Sequence, residues 1–279
     1  MRNEPELMSL FWTTAGVFPG RGEISPYDFK ERVEAAARAG FRGIGIWHTD
    51  LEHILLRRSL AEMKSILDDN GIKYLELEFL TDWFLDGPGK AQSDTRRDRL
   101  LEASAALNAT HVKVGDFDKS PCPLPRVTES FAALCARAEQ FGARIGFELM
   151  GCAMIDNLAD AVRMVKGAAA KNGGLIIDIY QMMNLGLSYA EISAIPVNYL
   201  TGVELNDGIL PGHPGHDPDN RRFCGEGEYD IRGFIACVQK TGYKGPWAVE
   251  VMAEDLAGLP LDELSTRAYA TTMAEFADR

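Results

Sequence analysis

Residues 144–180 read RIGFELMGCAMIDNLADAVRMVKGAAAKNGGLIIDIY. Arg144–Leu149 and Leu175–Ile179 are short apolar runs, and Leu158–Ala170 between them spaces its apolar residues at helical intervals. A short run that is apolar at both parities reads as a strand buried on both faces. Strand, helix and strand in that order make a parallel βα unit. Each run also carries an acid near its end, Glu148 in the first and Asp178 in the second.

The same alternation extends in both directions. Further strands are expected at Met8–Thr13, Gly43–Trp47, Lys73–Phe79, His111–Val114, Leu200–Leu205 and Trp247–Val251. The other helical periods are Tyr27–Ala39, His53–Asp69, Asp94–Leu107, Val127–Phe141, Ser188–Ile195, Ile231–Lys240 and Leu261–Ala277. Ser25-Pro26 supplies a cap and a first-turn proline before Tyr27. Gly40, Gly71, Gly142 and Gly242 each stand just past a helical period, where a left-handed residue ends the helix and the chain turns into the next strand.

Eight such units in 279 residues predict one α/β domain over residues 1–279, a (β/α)8 TIM barrel. A doubly wound sheet is the other arrangement of these elements, but it calls for a glycine-rich phosphate loop after the first strand. The chain there reads TTAGVFPG over residues 13–20, without that spacing. No Pro/Ser-rich linker or charge block divides the sequence. Residues 207–228, with PGHPGHDPD at 211–219, are too long for a plain connection and read as a binding loop or lid.

Hydrophobic residues make up 46% and charged residues 25%, the balance of an ordinary globular protein. The formal net charge of −12 repels phosphate backbones and anionic lipid, so neither nucleic acid nor a membrane is an expected partner. The five cysteines are odd in number and contain no CxxC pair, which fits a reducing compartment. With a charged N-terminus and no run of about 18 apolar residues, a cytoplasmic protein is expected. A homo-oligomer is compatible with the composition.

The informative residues are four acids: Glu148, Asp178, Glu204 in GVELND (202–207) and Glu250 in WAVEVM (247–252). A carboxylate inside an apolar strand is costly unless paired. In a barrel these positions converge at the C-terminal mouth, where catalytic groups gather. Four converging carboxylates repel one another unless a cation lies among them, and an all-oxygen set suits a hard divalent ion.

On these residues the chain resembles the sugar phosphate isomerase/epimerase family, the xylose-isomerase-like TIM barrels, over nearly its whole length. The family includes ketose 3-epimerases, hydroxypyruvate isomerase, inosose dehydratase and dehydroshikimate dehydratase. Glu148, Asp178 and Glu250 match its metal ligands on the fifth, sixth and eighth strands. Arg221, before GEGEYD (225–230), matches an arginine that binds substrate. Glu204 stands where the family usually has a histidine ligand, and Gln181 where it often has another histidine. The first change favours Mg²⁺, Mn²⁺ or Ca²⁺ over zinc, with Mn²⁺ or Mg²⁺ expected first, or leaves one acid protonated as a proton donor; the second replaces a titratable group by one that only hydrogen-bonds.

Other candidates near the mouth are His48, as acid/base or substrate contact, and Lys113, as a cation for an enolate, carboxylate or phosphate. His213 and His216 in the long loop are further substrate contacts. Glu76 and Glu78 share one parity, facing either the barrel interior or the outer helices. His111 reads as structural. Trp12 and Trp83 are candidate apolar walls.

The resemblance implies an isomerase or epimerase of a sugar or keto-sugar. A divalent ion chelates the carbonyl, and Glu148 and Glu250 form the base and acid pair around an enediolate. A lyase or dehydratase acting on a cyclic keto-polyol or 3-keto-glycoside uses the same first step. A non-catalytic ligand-binding member is the third reading.

Overall fold

The computed structural model describes residues 4–217, 220–256 and 258–277. Eight strands, β1 (Leu7–Ser9), β2 (Gly43–Trp47), β3 (Tyr74–Leu80), β4 (His111–Val114), β5 (Ile145–Glu148), β6 (Gly173–Asp178), β7 (Leu200–Leu205) and β8 (Trp247–Val249), pair in parallel and in sequence order. The last returns to the first through Leu7–Trp247 and Ser9–Val249, closing the barrel and excluding the doubly wound sheet.

The main helices between strands are Phe29–Ala39, Leu60–Asp69, Gly87–Leu107, Leu124–Glu139, Leu158–Ala168 and Ile231–Lys240, with Leu261–Phe276 after β8. Short helices at Phe11–Thr14, His48–Leu55 and Ile179–Asn184 follow strand ends at the mouth, and Tyr189–Ser193 precedes β7.

Several boundaries differ from expectation for local reasons. The helix expected from Tyr27 begins at Phe29, because Asp28 forms a capping box with Glu31; it ends at Gly40, whose φ is +115°. The single helix expected over His53–Asp69 is two helices, since Ser59 caps a new start with Glu62. The first strand stops at Ser9, and Phe11–Thr14 coils into a helical turn at the mouth.

The strands are not apolar on both faces. One parity, including Ile44, Ile46, Leu75, Leu77, Val112, Val114, Ile145 and Phe147, packs outward against the helices in the main core. The other parity lines the interior with glycines and charged side chains, together with Ile176 and a small apolar cluster of Met8, Leu10 and Ala248. Gly45 is in register with Glu76, Glu76 with His111, Lys113 with Gly146, and Asp178 with Glu204. The glycines are sterically required: a Cβ on Gly45 would lie 2.9 Å from Glu78 Oε1 and from the Phe11 nitrogen, and one on Gly146 2.6 Å from Ile176. They leave space for Glu78 over Gly45 and for Ile176 over Gly146. Trp83, a candidate wall, instead belongs to the outer core: it packs edge-on to Phe84, Phe131 and Phe147 and donates its indole N–H to the Gly115 carbonyl at 3.2 Å.

The long connection after β7 is tied at its base by one carboxylate. Asp207, 1% exposed, accepts from the backbone N–H groups of Gly208, Gly225, Gly227 and Tyr229 at 2.8–3.0 Å. It also forms an antiparallel bridge with Arg222, which brings Arg221 to the mouth. Pro218 and Asp219 of this loop lie outside the described residues. Because hydrogen bonds to an ionised acceptor are worth about 1.5–3 kcal/mol each, Asp207→Ala is expected to cost about 3 kcal/mol or more. Urea titration checks the stability, and limited proteolysis should show new cleavage within residues 208–227.

Candidate metal and catalytic site

Glu148, Asp178, Glu204 and Glu250 meet at the C-terminal ends of β5 to β8. Each offers one carboxylate oxygen, and the four lie within 4.8 Å of one another. All four residues are buried, none more than 4% exposed. The convergence expected from their strand positions is thus present, although charged side chains partly compensate it.

Lys113 reaches inward from β4, fully buried, to the same point. Its Nζ lies 2.8 Å from Glu204 Oε1, 3.0 Å from Glu76 Oε1, 3.1 Å from Glu250 Oε1, 3.2 Å from Glu78 Oε2 and 3.9 Å from Glu148 Oε2. Glu76 and Glu78 therefore both face the interior. Arg221 is 4% exposed and pairs with Glu250 Oε2 at 2.5 Å and Asp178 Oδ2 at 3.1 Å, its guanidinium lying over the Tyr180 ring at 4.6 Å. His111, expected to be structural, is buried with Nε2 2.5 Å from Glu76 Oε2.

The sequence reading missed Asn206. Its Nδ2 donates to Asp178 Oδ1 at 2.8 Å, and the Tyr180 N–H donates to the same oxygen at 3.0 Å. Asp178 is thereby aimed from one side while Arg221 holds the other. The residue's place two positions after Glu204, just past the end of β7, is the signal that could have found it.

Six carboxylates against one ammonium and one guanidinium leave excess negative charge. Burial pushes Glu148 and Glu78 up to about 8, against the pull of Lys113. It also raises Glu204 well above the ordinary range, and raises Asp178 despite Arg221. Glu250 behaves otherwise: burial opposes its charge, but Lys113 and Arg221 together hold it below the usual carboxylate value. Burial also works against the Lys113 ammonium, but the surrounding acids, Glu204 foremost, outweigh it.

The donor set fits a divalent ion. It consists of oxygen alone, it carries uncompensated charge, and the buried Glu204 Oε2 has no hydrogen-bond partner. Glu148, Asp178, Glu204 and Glu250 are the residues that would hold it.

The remaining candidates line the mouth or lie in the loop above it. His48 accepts from the Phe79 N–H at 3.4 Å, and burial lowers its pKa to about 4, so its ring is neutral across the physiological range. Gln181, 9% exposed, accepts from the Gly151 N–H at 3.4 Å. His213 Nδ1 lies 2.8 Å from Glu228, and His216 Nδ1 lies 2.9 Å from the Ile209 carbonyl, so both are engaged within the loop. On the opposite side, Phe11, Trp12, Trp47 and Phe79 form a separate aromatic cluster, extended outward by Phe117 stacked on Phe79 at 4.8 Å. Trp12 is buried within this cluster.

A wide depression of about 1590 Å³ lies at the other end of the barrel, lined by Arg42, Lys73, Tyr74, Lys244 and Trp247 among others. Lys73 there is paired with Glu6. Among the described residues the gathered group of four acids lies at the opposite, C-terminal end, where catalytic groups of such barrels are found.

A closed (β/α)8 barrel with oxygen donors gathered from four consecutive strands is one class of protein. The chain belongs to the xylose isomerase-like TIM barrel family, whose model matches residues 33–272. Among curated proteins it is similar to 3-dehydroshikimate dehydratase of Pseudomonas aeruginosa, 27% identical over 241 residues. That match covers 82% of this chain and 37% of the relative, so the chain spans little more than a third of that protein's length. Two solved structures share the fold. The IOLI protein with a bound zinc atom aligns with a TM-score of 0.85, 19% identity and 97% of each chain. A D-allulose 3-epimerase from Methylomonas sp. in complex with D-allulose aligns with a TM-score of 0.74 and 17% identity, over 98% of this chain and 97% of that one. Among the described residues no helix is long and apolar enough to cross a membrane.

The raised carboxyls set a pH dependence for metal-free protein. Glu78 and Glu148 bind protons more tightly folded than unfolded, so the native state carries more protons between pH 4.5 and about 8. Their contribution is present below pH 4.5 and lost as pH rises through about 8. The Tm of metal-stripped protein is expected to fall from pH 5 to pH 9, and saturating Mn²⁺ to abolish most of the fall. Calorimetry at a series of pH values checks both.

Proposed function

We propose that this chain is a divalent-metal-dependent isomerase or epimerase of a sugar or keto-sugar, acting by proton abstraction next to a carbonyl. The observation that carries this reading is the meeting of Glu148, Asp178, Glu204 and Glu250 within 4.8 Å at the barrel mouth. A divalent ion held there would polarise a substrate carbonyl and stabilise the charge left on deprotonation. The all-oxygen donors favour Mn²⁺ or Mg²⁺.

The protein groups divide the proton work. Glu250 is braced by Lys113 and Arg221 and stays ionised, which suits a base. Glu148 has no cationic partner closer than the 3.9 Å of Lys113, which suits a group that holds a proton and returns it. Arg221 fixes the orientation of both Glu250 and Asp178. His48 and Gln181, neutral and half-buried or buried, offer hydrogen bonds to substrate hydroxyls, with His213 and His216 contributing from the loop. Proton return to the opposite face epimerises; return to the neighbouring carbon isomerises. The five unpaired cysteines support a cytoplasmic setting.

β-Elimination from a cyclic keto-polyol is the second reading, favoured by similarity to the Pseudomonas aeruginosa dehydratase. It needs the same abstraction, after which Glu148 protonates a departing hydroxyl.

The test is a keto-sugar and keto-polyol panel with Mn²⁺- or Mg²⁺-loaded protein in deuterated water, followed by mass spectrometry and ultraviolet absorbance. Isomerisation conserves composition and incorporates solvent deuterium; elimination loses one water and gives an absorbing enone. Glu250→Gln and Glu148→Gln are each expected to lower kcat by about 10²–10⁴-fold. Full turnover in the Glu250→Gln protein would overturn its assignment as base.

A further inference from the structure

Lys113 is enclosed like a bound ion. Four carboxylate oxygens, from Glu76, Glu78, Glu204 and Glu250, lie 2.8–3.2 Å from its Nζ, and its side chain is shut off from solvent. An ammonium has three protons, and of these contacts the one with Glu250 Oε1 has aligned hydrogen-bond geometry. The arrangement is a shell of anions around a charge more than a set of directed bonds.

Glu204 and Glu250 belong to this shell and also to the four acids that gather at the mouth. Each turns Oε1 toward Lys113. The second oxygen of Glu204 has no hydrogen-bond partner, and that of Glu250 is held by Arg221. Glu204 therefore lies between Lys113 and the gathered acids, and Glu250 between Lys113 and Arg221; a carboxylate set between two cations in this way is the bridging arrangement of two-metal sites, where ions lie about 3.5–4 Å apart. One position is filled by a cation tethered to β4. Lys113 stands in register with Gly146 on β5, and Gly146 with Gly174 on β6.

We propose that Lys113 occupies the second cation position of this acidic centre and so limits it to one divalent ion. This rests on the metal reading above and adds to it: Glu76 and Glu78, which are not among the four gathered acids, form the far half of a carboxylate-bridged pair whose second ion has been replaced by an ammonium. The replacement also accounts for a carboxylate at position 204, since Lys113 offsets the charge of Glu204 from behind.

The test is the stoichiometry of Mn²⁺ on metal-stripped protein, by calorimetric titration and elemental analysis, with electron paramagnetic resonance to detect a coupled pair. Wild type is expected to bind one Mn²⁺ per chain and Lys113→Ala two, with a spin-coupled spectrum. The triple variant Lys113→Ala/Glu76→Gln/Glu78→Gln, which removes the far anions along with the cation, is expected to fold and bind one. One Mn²⁺ in both wild type and Lys113→Ala, with equal affinity, overturns the assignment of Lys113 alone. No Mn²⁺ in wild type overturns the metal reading itself. If Lys113→Ala does not fold, the triple variant decides: one bound ion supports a charge-balancing lysine, and an unfolded triple variant shows that the side chain acts by packing and overturns the proposal.

Discussion

The centre of this barrel is a problem of charge. Glu76, Glu78, Glu148, Asp178, Glu204 and Glu250 are all withdrawn from water, where an isolated ionised carboxylate is strongly disfavoured. Lys113 and Arg221 answer part of that cost, and the remainder selects for protons or a cation. Around this constraint much of the interior parity is given to glycine and long polar chains, and most of the apolar contribution to stability comes from the outward parity packed beneath the helices, with a smaller interior share from Met8, Leu10 and Ala248. Inside and outside of the sheet thus divide function from folding with one residue's alternation.

Much of the fold was legible because its signals are local. Glycines past helix ends and short apolar runs gave all eight strands and the order of the units. The errors were equally local. Met8–Thr13 reads as one strand because hydrophobicity continues past Ser9, yet Phe11 and Trp12 serve the mouth cluster instead of a ladder. His53–Asp69 reads as one helix because Ser59 is polar and helix-tolerant; its side chain nevertheless caps the next helix.

The four gathered acids were legible because a charged residue late in an apolar strand has few places to go. Their compensation was not. Period-two alternation puts Glu76 and Glu78 on one face without saying which, and only the closed barrel brings β3, β4, β7 and β8 to a common axis. Gly45, Gly146, Gly174 and Gly202, at the interior parity of four strands, carried part of the missing signal: space left on the inside is filled from other strands, by Glu78 at Gly45, by Ile176 at Gly146 and Gly202, and by Thr201 at Gly174. Trp83 shows the opposite limit, since a large aromatic serves core and mouth alike and only its edge-on neighbours identify the core.

The mouth itself is two-sided. Acids and guanidinium occupy one flank, while rings from Phe11 to Phe117 cover the other. A cyclic molecule resting against those rings would present a single face to the carboxylates. Handedness would then be imposed by how such a guest lies down, since its mirror image would turn the reacting hydrogen away from the acids.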